Sequence, residues 1–217
     1  MVGKMAAGKL PKTAAENLPR EFYERDVVTV ARELLGKTLV HANAAGVTRG
    51  IIVEAEAYRG PEDRAAHSHG NLRSKRTSVM FGPGGHAYVF LIYGMYCCFN
   101  VVAATTDQPQ AVLIRALEPL EGIDLMAARR GVAIRGEKDV RKLASGPGKL
   151  TIAMGIDMSH NGLDFCGDEL YITAGRAVAG PEIAATRRIN VDYAGEWKDR
   201  PWRFVIRDSP FLSVKKA

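Results

Sequence analysis

The sequence predicts a single α+β domain, built on a curved, mostly antiparallel β-sheet with flanking helices and one protruding β-hairpin. Its 217 residues fit one domain, and 47% hydrophobic with 25% charged residues is the ordinary composition of a chain that buries a core. Segments with strand-like alternation and segments with helical spacing both occur, without an internal repeat or a long linker rich in Gly, Pro or Ser. We therefore assign residues 1–20 to a mobile basic tail and residues 21–217 to one domain.

The first elements of this domain are one helix and two strands. Apolar residues at helical spacing follow Asp26, a favoured N-cap, and Gly36 fits the position after the helix end. Residues 37–42 and 50–58 have the composition of strands. The chain therefore enters a sheet within its first sixty residues.

Two carboxylates and a phenol share one face of the second strand. Because side chains alternate along a strand, Glu54, Glu56 and Tyr58 point the same way, while small apolar residues point to the core. Repulsion between the two like charges can raise one carboxyl pKa into the range that suits general acid–base catalysis. An exposed face with solvated glutamates is the alternative. Arg115, in the middle of a later apolar strand, favours a cleft, because an unpaired arginine is costly to bury.

A long polar loop at residues 60–85 follows, with only a short helical segment at residues 62–67. Loops of this length in compact domains are often functional. His67 and His69 could point the same way, but no second cluster of His, Cys or Asp completes a metal site with them. Signatures of zinc deaminases, serine nucleophile elbows and dinucleotide-binding folds are also missing. The sequence therefore argues against activation of water by zinc and offers no serine nucleophile or dinucleotide motif.

The most aromatic stretch, residues 85–100, predicts a β-hairpin centred on Gly94. Hairpin tips usually carry small polar residues, whereas this one carries Tyr93, Met95 and Tyr96. Such side chains must either fold back into the core or enter a partner. Burial of the tip is the simpler interpretation of the segment alone. The acidic strand face and the basic loops favour contact with a partner instead.

The remaining elements alternate between strands and helices. In chain order they are a strand at 111–117, a helix at 118–130 ending at Gly131, a short helix at 139–144, a helix from Pro147 through Met154, and strands at 170–174, 182–189 and 201–207, the last two joined by a turn at 193–197. The free amide groups at the start of the helix at Pro147 suit a phosphate, and Lys149 would strengthen that contact.

Charge and cysteine content restrict the class of partner and the compartment. A net charge of +6 with an isoelectric point near 9.3 favours a polyanion such as nucleic acid. Residues 129–149 contain seven basic and two acidic residues, and a second basic group lies at residues 73–76. The three cysteines form no disulfide framework, which favours a reducing intracellular compartment. No apolar run approaches the ~20 residues that cross a bilayer.

Several blocks of the sequence occur in an order that carries a family resemblance. They are VEAEAYRGPEDRAAHS, the YGMY hairpin with Asn100, VLIRALEPLEG, SGPGKL, and AGEW followed by SP, within residues 27–214. Together they resemble the alkyladenine, or 3-methyladenine, DNA glycosylase family. The resemblance implies a monofunctional enzyme that acts as a monomer on double-stranded DNA containing damaged purines, without a metal, an organic cofactor or a membrane. It also implies a DNA-associated location, in the cytoplasm or nucleoid of a bacterium or the nucleus of a eukaryote.

The resemblance also implies roles for individual residues. Glu56 matches the general base and Arg115 the basic residue that helps to position the attacking water. Tyr93 matches a tyrosine inserted into the duplex, and Met95 and Tyr96 match its neighbours in the minor groove. The residues matched to the pocket that receives the base are Tyr58, His67, Phe90, Asn100 and Val191.

Three positions depart from the family pattern. Phe90 stands where other members have a tyrosine, so the ring is kept and its hydroxyl is lost. Asp192 and Tyr193 also differ from the residues of other members. These departures leave the breadth and the ranking of the accepted lesions open, but not the reaction.

The chemistry of these residues agrees with the implied activity. A stacked base must leave the duplex before it is cleaved, and an apolar wedge offsets part of the unstacking. Aromatic rings favour a positively charged alkylpurine, and a carboxylate that activates water gives displacement with inversion at the sugar. The expected substrates are 3-methyladenine, 7-methylguanine, hypoxanthine and ethenoadenine, and the expected product is an abasic site.

Two other classes of function compete with this interpretation. A single-strand binding module would use the same aromatic residues for stacking and the same basic loops for phosphate. Such a binder has no need of Glu56 beside Tyr58. A small-molecule hydrolase is the third candidate, and the basic loops argue against it.

Overall fold

The computed structural model describes residues 17–214, which form one eight-stranded sheet with helices packed against it. The strands are β1 (Thr38–Asn43), β2 (Gly46–Tyr58), β3 (Ala87–Ile92), β4 (Tyr96–Ala103), β5 (Gln110–Glu121), β6 (Leu170–Thr173), β7 (Ile183–Thr186) and β8 (Arg203–Ile206). The helices are α1 (Arg20–Tyr23), α2 (Val27–Glu33), α3 (Ile123–Arg130), α4 (Glu137–Val140) and α5 (Pro147–Met154). Short segments of 3-10 helix lie between them, and the longest of those among the described residues is Asp192–Asp199. The predicted α+β class is confirmed.

The beginning of the described chain is attached to the sheet. The Asn17 side-chain amide donates to the carbonyl oxygens of Phe165 and Gly167, at 3.1 and 2.7 Å, and the Leu18 amide donates to the Ile172 carbonyl at 2.8 Å. The fold therefore begins a few residues before the predicted boundary at residue 21. The greater part of the predicted tail, residues 1–16, lies outside the described residues.

The central strand of the sheet is β2. The strand order is β3-β4-β5-β2-β1-β6, and β8 pairs with the second half of β2 and carries β7 on its other side. All of these pairs are antiparallel. The register between β2 and β5 shifts on both sides of Glu54, and such bulges bend a strand and redirect its side chains. This bend lies in the segment that carries the two predicted carboxylates.

The core lies between the sheet and helices α2, α3 and α5, which contact β2, β4 and β5. On β2 the small apolar face is fully buried, as its alternation predicts. The Asp26 carboxylate accepts hydrogen bonds from the Val28 and Thr29 amides, both at 3.1 Å, which confirms it as the N-cap of α2. Gly131, at φ 62°, ends α3 as predicted.

The helix predicted to start at residue 118 begins at Ile123 instead. Residues 118–121 continue β5, where Glu118 pairs with Ile51 and Pro119 pairs with Gly50. Gly122 then takes φ 74°, a left-handed conformation that ends the strand and starts the helix. The Glu-Pro-Leu-Glu segment resembles a helix start, but its pairing with β2 decides the conformation.

Other elements differ from prediction in their bounds or type. Residues 62–67 form turns rather than a helix, because the Asp63 carboxylate accepts from the backbone amides of Arg59 and Ala65 at 3.1 and 3.0 Å. The short helix predicted at 139–144 is α4, which lies slightly earlier, and the predicted strands at 182–189 and 201–207 are the shorter β7 and β8. Among the described residues, no helix combines the length and apolar character needed to cross a membrane.

Candidate active site

The hairpin formed by β3 and β4 ends in an exposed tip. Tyr93 is 78% exposed and Met95 70% exposed, so the interpretation of a buried tip is wrong. Tyr93 and Gly94 have φ values of 53° and 68°, and positive values at both central residues are those of a type I′ turn. A tyrosine in this region is disfavoured by about 1–2 kcal/mol, and strain of this kind concentrates at functional sites.

A cavity of about 450 Å³ lies between the hairpin, β5 and the segment 189–193. The predicted site residues in its walls are Tyr58, His67, Phe90, Tyr93, Tyr96, Asn100, Arg115 and Val191. Three predicted residues lie elsewhere. Glu56 is fully buried beneath Tyr58 and Arg115, Met95 is at the exposed tip, and Lys149 lines a neighbouring groove. The structure thus brings together most of the predicted pocket.

The Glu56 carboxylate accepts three hydrogen bonds. Its Oε2 accepts from the Tyr58 hydroxyl at 2.8 Å and from Nη1 of Arg115 at 3.2 Å, and its Oε1 accepts from the Ile189 amide at 2.8 Å. Burial and the nearby Glu56 charge raise the pKa of Tyr58 well above its ordinary value, so the phenol stays protonated and donates. These contacts hold the carboxylate directly below the cavity floor.

Arg115 connects Glu56 to Glu54. Its Nε donates to Oε1 of Glu54 at 3.1 Å, and the same oxygen accepts from Nε of Arg203 at 2.8 Å. Burial would lower the pKa of Arg115, but the two carboxylates outweigh it, so the pKa is raised and the guanidinium stays charged. The repulsion expected between the two glutamates is therefore offset by Arg115, which contacts both, and by Arg203, which contacts Glu54.

Aromatic rings form one wall of the cavity. The rings of Tyr88 and Phe90 lie 5.4 Å apart at 33°, and the His67 ring meets Phe90 edge-on at 4.6 Å. Nδ1 of His67 lies 2.7 Å from the Tyr88 hydroxyl oxygen. Burial, with a smaller contribution from Arg76, lowers the pKa of His67 to about 4, while burial raises that of Tyr88 to about 12. Both groups are therefore uncharged at neutral pH.

Asn100 and Val191 complete the wall from two other segments. The Asn100 side-chain amide donates to the Tyr88 carbonyl at 3.0 Å, which fixes it across the hairpin ladder. Val191 is buried with Ala65 and Ala194 in a small apolar cluster beside Tyr58. The hairpin side of the cavity thus combines aromatic rings with the Asn100 amide, and the loop side contributes Val191 beside Asn190 and Tyr193.

A buried ion pair holds the two loops that flank Tyr58. The Arg188 guanidinium donates to both oxygens of the Asp63 carboxylate, to the Ala57 carbonyl at 2.9 Å and to the Trp197 carbonyl at 3.1 Å. It also lies over the Tyr58 ring, 4.8 Å from the centroid. Arg188 precedes the Ile189 amide that binds Glu56, so this pair positions the segment that carries one of the Glu56 contacts.

A basic groove of about 730 Å³ lies next to the cavity. The basic groove is lined by Lys138, Arg141, Lys142, Lys149 and Arg207, with Asp208 as its one acidic residue among the described residues. Helix α5 separates the two spaces, because Pro147 and Gly148 line the cavity while Lys149 lines the groove. A Cβ added to Gly148 would lie 3.2 Å from Tyr96, so the start of α5 packs closely against the hairpin.

Several contributing residues carried no clear signal in the sequence. Tyr88 was not among the residues predicted for the pocket, yet it lines the cavity. Its position two residues before Phe90 on one strand was the available signal. Arg203, Arg188 and the Ile189 amide come from distant segments, and no local pattern marks them.

One group of three His, Cys, Asp or Glu side chains within residues 17–214 is close enough to share a metal ion. It consists of His41, His160 and Glu169, and none of these lines the cavity. The site below the cavity offers carboxylates already engaged by arginines, which suits proton transfer rather than metal ligation.

Comparison with known proteins shows the family to which this chain is related. The model of the Methylpurine-DNA glycosylase (MPG) family matches residues 21–210. The chain belongs to the methylpurine-DNA glycosylase family. A relative from Desulfitobacterium hafniense (strain Y51) is 50% identical over 203 residues, covering 92% of this chain and 100% of the relative. One from Alkaliphilus oremlandii (strain OhILAs) is 49% identical over 201 residues, covering 91% and 99%. Both are named "Putative 3-methyladenine DNA glycosylase".

Membership in the methylpurine-DNA glycosylase family confirms the resemblance found in the sequence blocks. It also confirms the prediction of an enzyme, a DNA glycosylase that hydrolyses the bond between a base and its sugar. DNA is accordingly the substrate of this chain.

Proposed function

We propose that this chain is a monofunctional DNA-3-methyladenine glycosylase that flips alkylated or deaminated purines out of duplex DNA and hydrolyses the N-glycosidic bond with a water activated by Glu56. The proposed substrates are 3-methyladenine, 7-methylguanine, hypoxanthine and ethenoadenine, the proposed product is an abasic site, and the enzyme acts as a monomer. The observation that carries the proposal is the buried Glu56 carboxylate directly beneath an aromatic cavity at the base of an exposed hairpin.

Base flipping is supported by the hairpin tip. An extruded nucleotide leaves a gap in the stack, and an apolar or aromatic wedge from the minor groove offsets part of the unstacking. Tyr93 is exposed on a turn held by the β3–β4 ladder, which keeps the ring extended from the surface. Met95 and Tyr96 beside it would contact the neighbouring sugars and bases.

A purine fits the cavity in size and chemistry. About 450 Å³ lies in the ordinary range for small-molecule sites. Phe90 and Tyr88 offer ring faces, and a positively charged alkylpurine is attracted to such faces. His67 is neutral at physiological pH, so it does not repel that charge. Asn100 and Val191 then limit which exocyclic groups fit.

Water activation is supported by the incomplete hydrogen bonding of Glu56. A carboxylate offers about four acceptor positions, and the described contacts occupy three of them. One position on Oε1 is left for a water from the cavity, which is lined by all three donors to this carboxylate. A water that gives its proton to Glu56 attacks the sugar as the base departs, and the configuration inverts.

Cleavage without a covalent intermediate is supported by the composition of the cavity. No lysine is among the described residues in its wall, so a Schiff base with the sugar has no nucleophile there. The expected product is therefore an abasic site with an intact backbone. The basic groove beside α5 would hold phosphates of the flanking duplex, and its Lys149 directly follows Gly148, which packs against the hairpin.

The test is base release from duplexes that each carry one ethenoadenine, hypoxanthine or 3-methyladenine, followed by alkaline cleavage at the abasic site. Wild type should release at least one of these bases, and Glu56→Gln, which keeps the size of the side chain, should not. Binding of the duplexes without release above the Glu56→Gln level would refute the catalytic proposal and favour a binding module.

A further inference from the structure

Three potential metal ligands meet at the side of the sheet that carries β1 and β6. His41 is on β1, His160 is in the 3-10 turn Met158–His160, and Glu169 precedes β6. The two Nε2 atoms are 3.2 Å apart, and Oε1 of Glu169 lies 3.9 Å from the first and 3.8 Å from the second. Both histidines are buried, whereas the Glu169 side chain is 53% exposed.

The hydrogen bond at Nδ1 of His41 leaves the lone pair of the ring on Nε2. Its Nδ1 lies 2.7 Å from the Met154 carbonyl oxygen, and a carbonyl can only accept. Nδ1 therefore carries the proton, and Nε2 presents its lone pair towards His160 and Glu169. A histidine that binds a metal typically donates its other nitrogen to a backbone carbonyl in this way.

His160 has a matching partner on its outer nitrogen. Its Nδ1 lies 2.9 Å from Oδ1 of Asp157. In metal sites, a carboxylate in this position typically accepts from the imidazole and fixes its orientation. The Asp157 amide also donates to the same nitrogen at 3.1 Å. Either tautomer of His160 is thus satisfied. Nε2 can carry a proton towards His41 when no ion is bound, or offer a lone pair when one is.

The spacing of the ligand atoms fits a tetrahedral ion. With bonds of about 2.0–2.1 Å, two nitrogens of a tetrahedral zinc site lie about 3.3 Å apart, close to the separation of the two Nε2 atoms. Glu169 must approach by roughly 0.5 Å to reach the same geometry. Its exposed side chain can make that movement. The Asn43 amide nitrogen, 3.3 Å from Nε2 of His41, must turn aside.

We propose that His41, His160 and Glu169 bind a divalent transition-metal ion, with Zn²⁺ preferred and a water as the fourth ligand. Two imidazoles and one carboxylate are the donor types that zinc takes, and hard ions such as Mg²⁺ prefer oxygen alone. The site is separate from the base cavity. A bound ion would tie β1 to the turn at residue 160 and to the start of β6, and would stabilise the folded state because the unfolded chain lacks the arrangement.

The test is titration of the metal-free full chain with zinc chloride in a calorimeter, without DNA, in a reducing buffer that does not bind zinc. Wild type should bind one zinc per chain. Glu169→Gln should weaken this binding at least tenfold, and His160→Gln should weaken it further. His69→Gln, which changes an exposed histidine in the polar loop, is the matched control and should bind as wild type does.

A spectroscopic measurement separates this site from binding to the cysteines. Cobalt substituted for zinc should give the visible absorption of a tetrahedral site with nitrogen and oxygen ligands, and this absorption should be lost in Glu169→Gln. No zinc binding by wild type, equal affinity in wild type and Glu169→Gln, or a sulfur-to-cobalt charge-transfer band would each refute the proposal. Because Glu169 is exposed, its variant is expected to fold, and none of these outcomes depends on glycosylase activity.

Discussion

Removal of the Arg115 charge should lower the unfolding free energy of this protein more than removal of a charge on its surface does. Four buried charges balance beneath the cavity: the Glu54 and Glu56 carboxylates against the Arg115 and Arg203 guanidinium groups. Arg115→Met keeps most of the volume of the stem but leaves two carboxylates with one cation. Breaking a buried pair in this way destabilises by about 3–5 kcal/mol, because an uncompensated charge stays out of water.

The expected size of the effect is measurable by thermal unfolding. In a chain of this length, 1 kcal/mol changes the melting temperature by about 2–4 °C, so Arg115→Met should lower it by roughly 6–20 °C at neutral pH. Circular dichroism during heating and in urea gives the unfolding free energy. Arg141→Met is the control, because Arg141 pairs with Glu137 on the surface, where an ion pair contributes about 0–1 kcal/mol.

A double-mutant cycle tests the charge argument itself. Glu54→Gln alone leaves an excess cation, whereas Glu54→Gln with Arg115→Met restores neutrality beneath the cavity. The double variant should therefore be more stable than the sum of the single effects predicts, by about 1–3 kcal/mol. Additive effects within about 0.5 kcal/mol, or an Arg115→Met variant as stable as Arg141→Met, would refute the balance of four buried charges.

Three further predictions concern the tip, the pocket and the groove. Tyr93→Ala should slow single-turnover base release about 5- to 150-fold, because aromatic stacking on a base contributes about 1–3 kcal/mol. The melting temperature should not change. A lower melting temperature would show that Tyr93 contributes to the stability of the fold. Burial lowers the pKa of His67 from 6.5 to about 4, so the stability that this residue contributes is present above pH 6.5 and is lost as the pH falls towards 4. The unfolding free energy of His67→Gln should therefore fall less than that of wild type over this interval. Parallel plots of unfolding free energy against pH for the two proteins would contradict this. Lys149→Ala should reduce the slope of log affinity for DNA against log salt by about 1, and an unchanged slope would remove Lys149 from the phosphate contacts.

Local pattern was sufficient for elements in which neighbours in sequence determine the conformation. The alternation along β2 correctly placed its carboxylates on one face, and Asp26 and Gly131 marked the ends of two helices. Local pattern failed at residues 118–121, which resemble a helix start. Their conformation is decided by pairing with residues 49–51, about seventy positions away.

Pocket residues could be predicted where they lie on one strand or within the sequence blocks of the family. They could not be predicted where contacts between distant segments bring them to the site. Tyr88 lies two residues before Phe90 on the same strand, so the alternation that places Phe90 in the cavity wall also places Tyr88 there. The partners supplied by Arg188, Ile189 and Arg203 could not be found in this way. Each is an isolated polar group or a backbone amide whose role depends on a residue more than a hundred positions away.

The two glutamates of β2 are equivalent in sequence but not in their surroundings. Glu54 accepts four hydrogen bonds: its Oε1 accepts from Nε of Arg115, from Nε of Arg203 and from the Ser213 hydroxyl, and its Oε2 accepts from the Ser213 amide. Glu56 accepts three and lies below residues that line the cavity. The three donors to Glu56 all line the cavity, whereas among the described donors to Glu54 only Arg115 does so. Strand β8 pairs with both glutamates, but the Arg203 side chain donates to Glu54. This difference in hydrogen bonding and in access to the cavity supports a structural role for Glu54 and the proposed reactivity of Glu56.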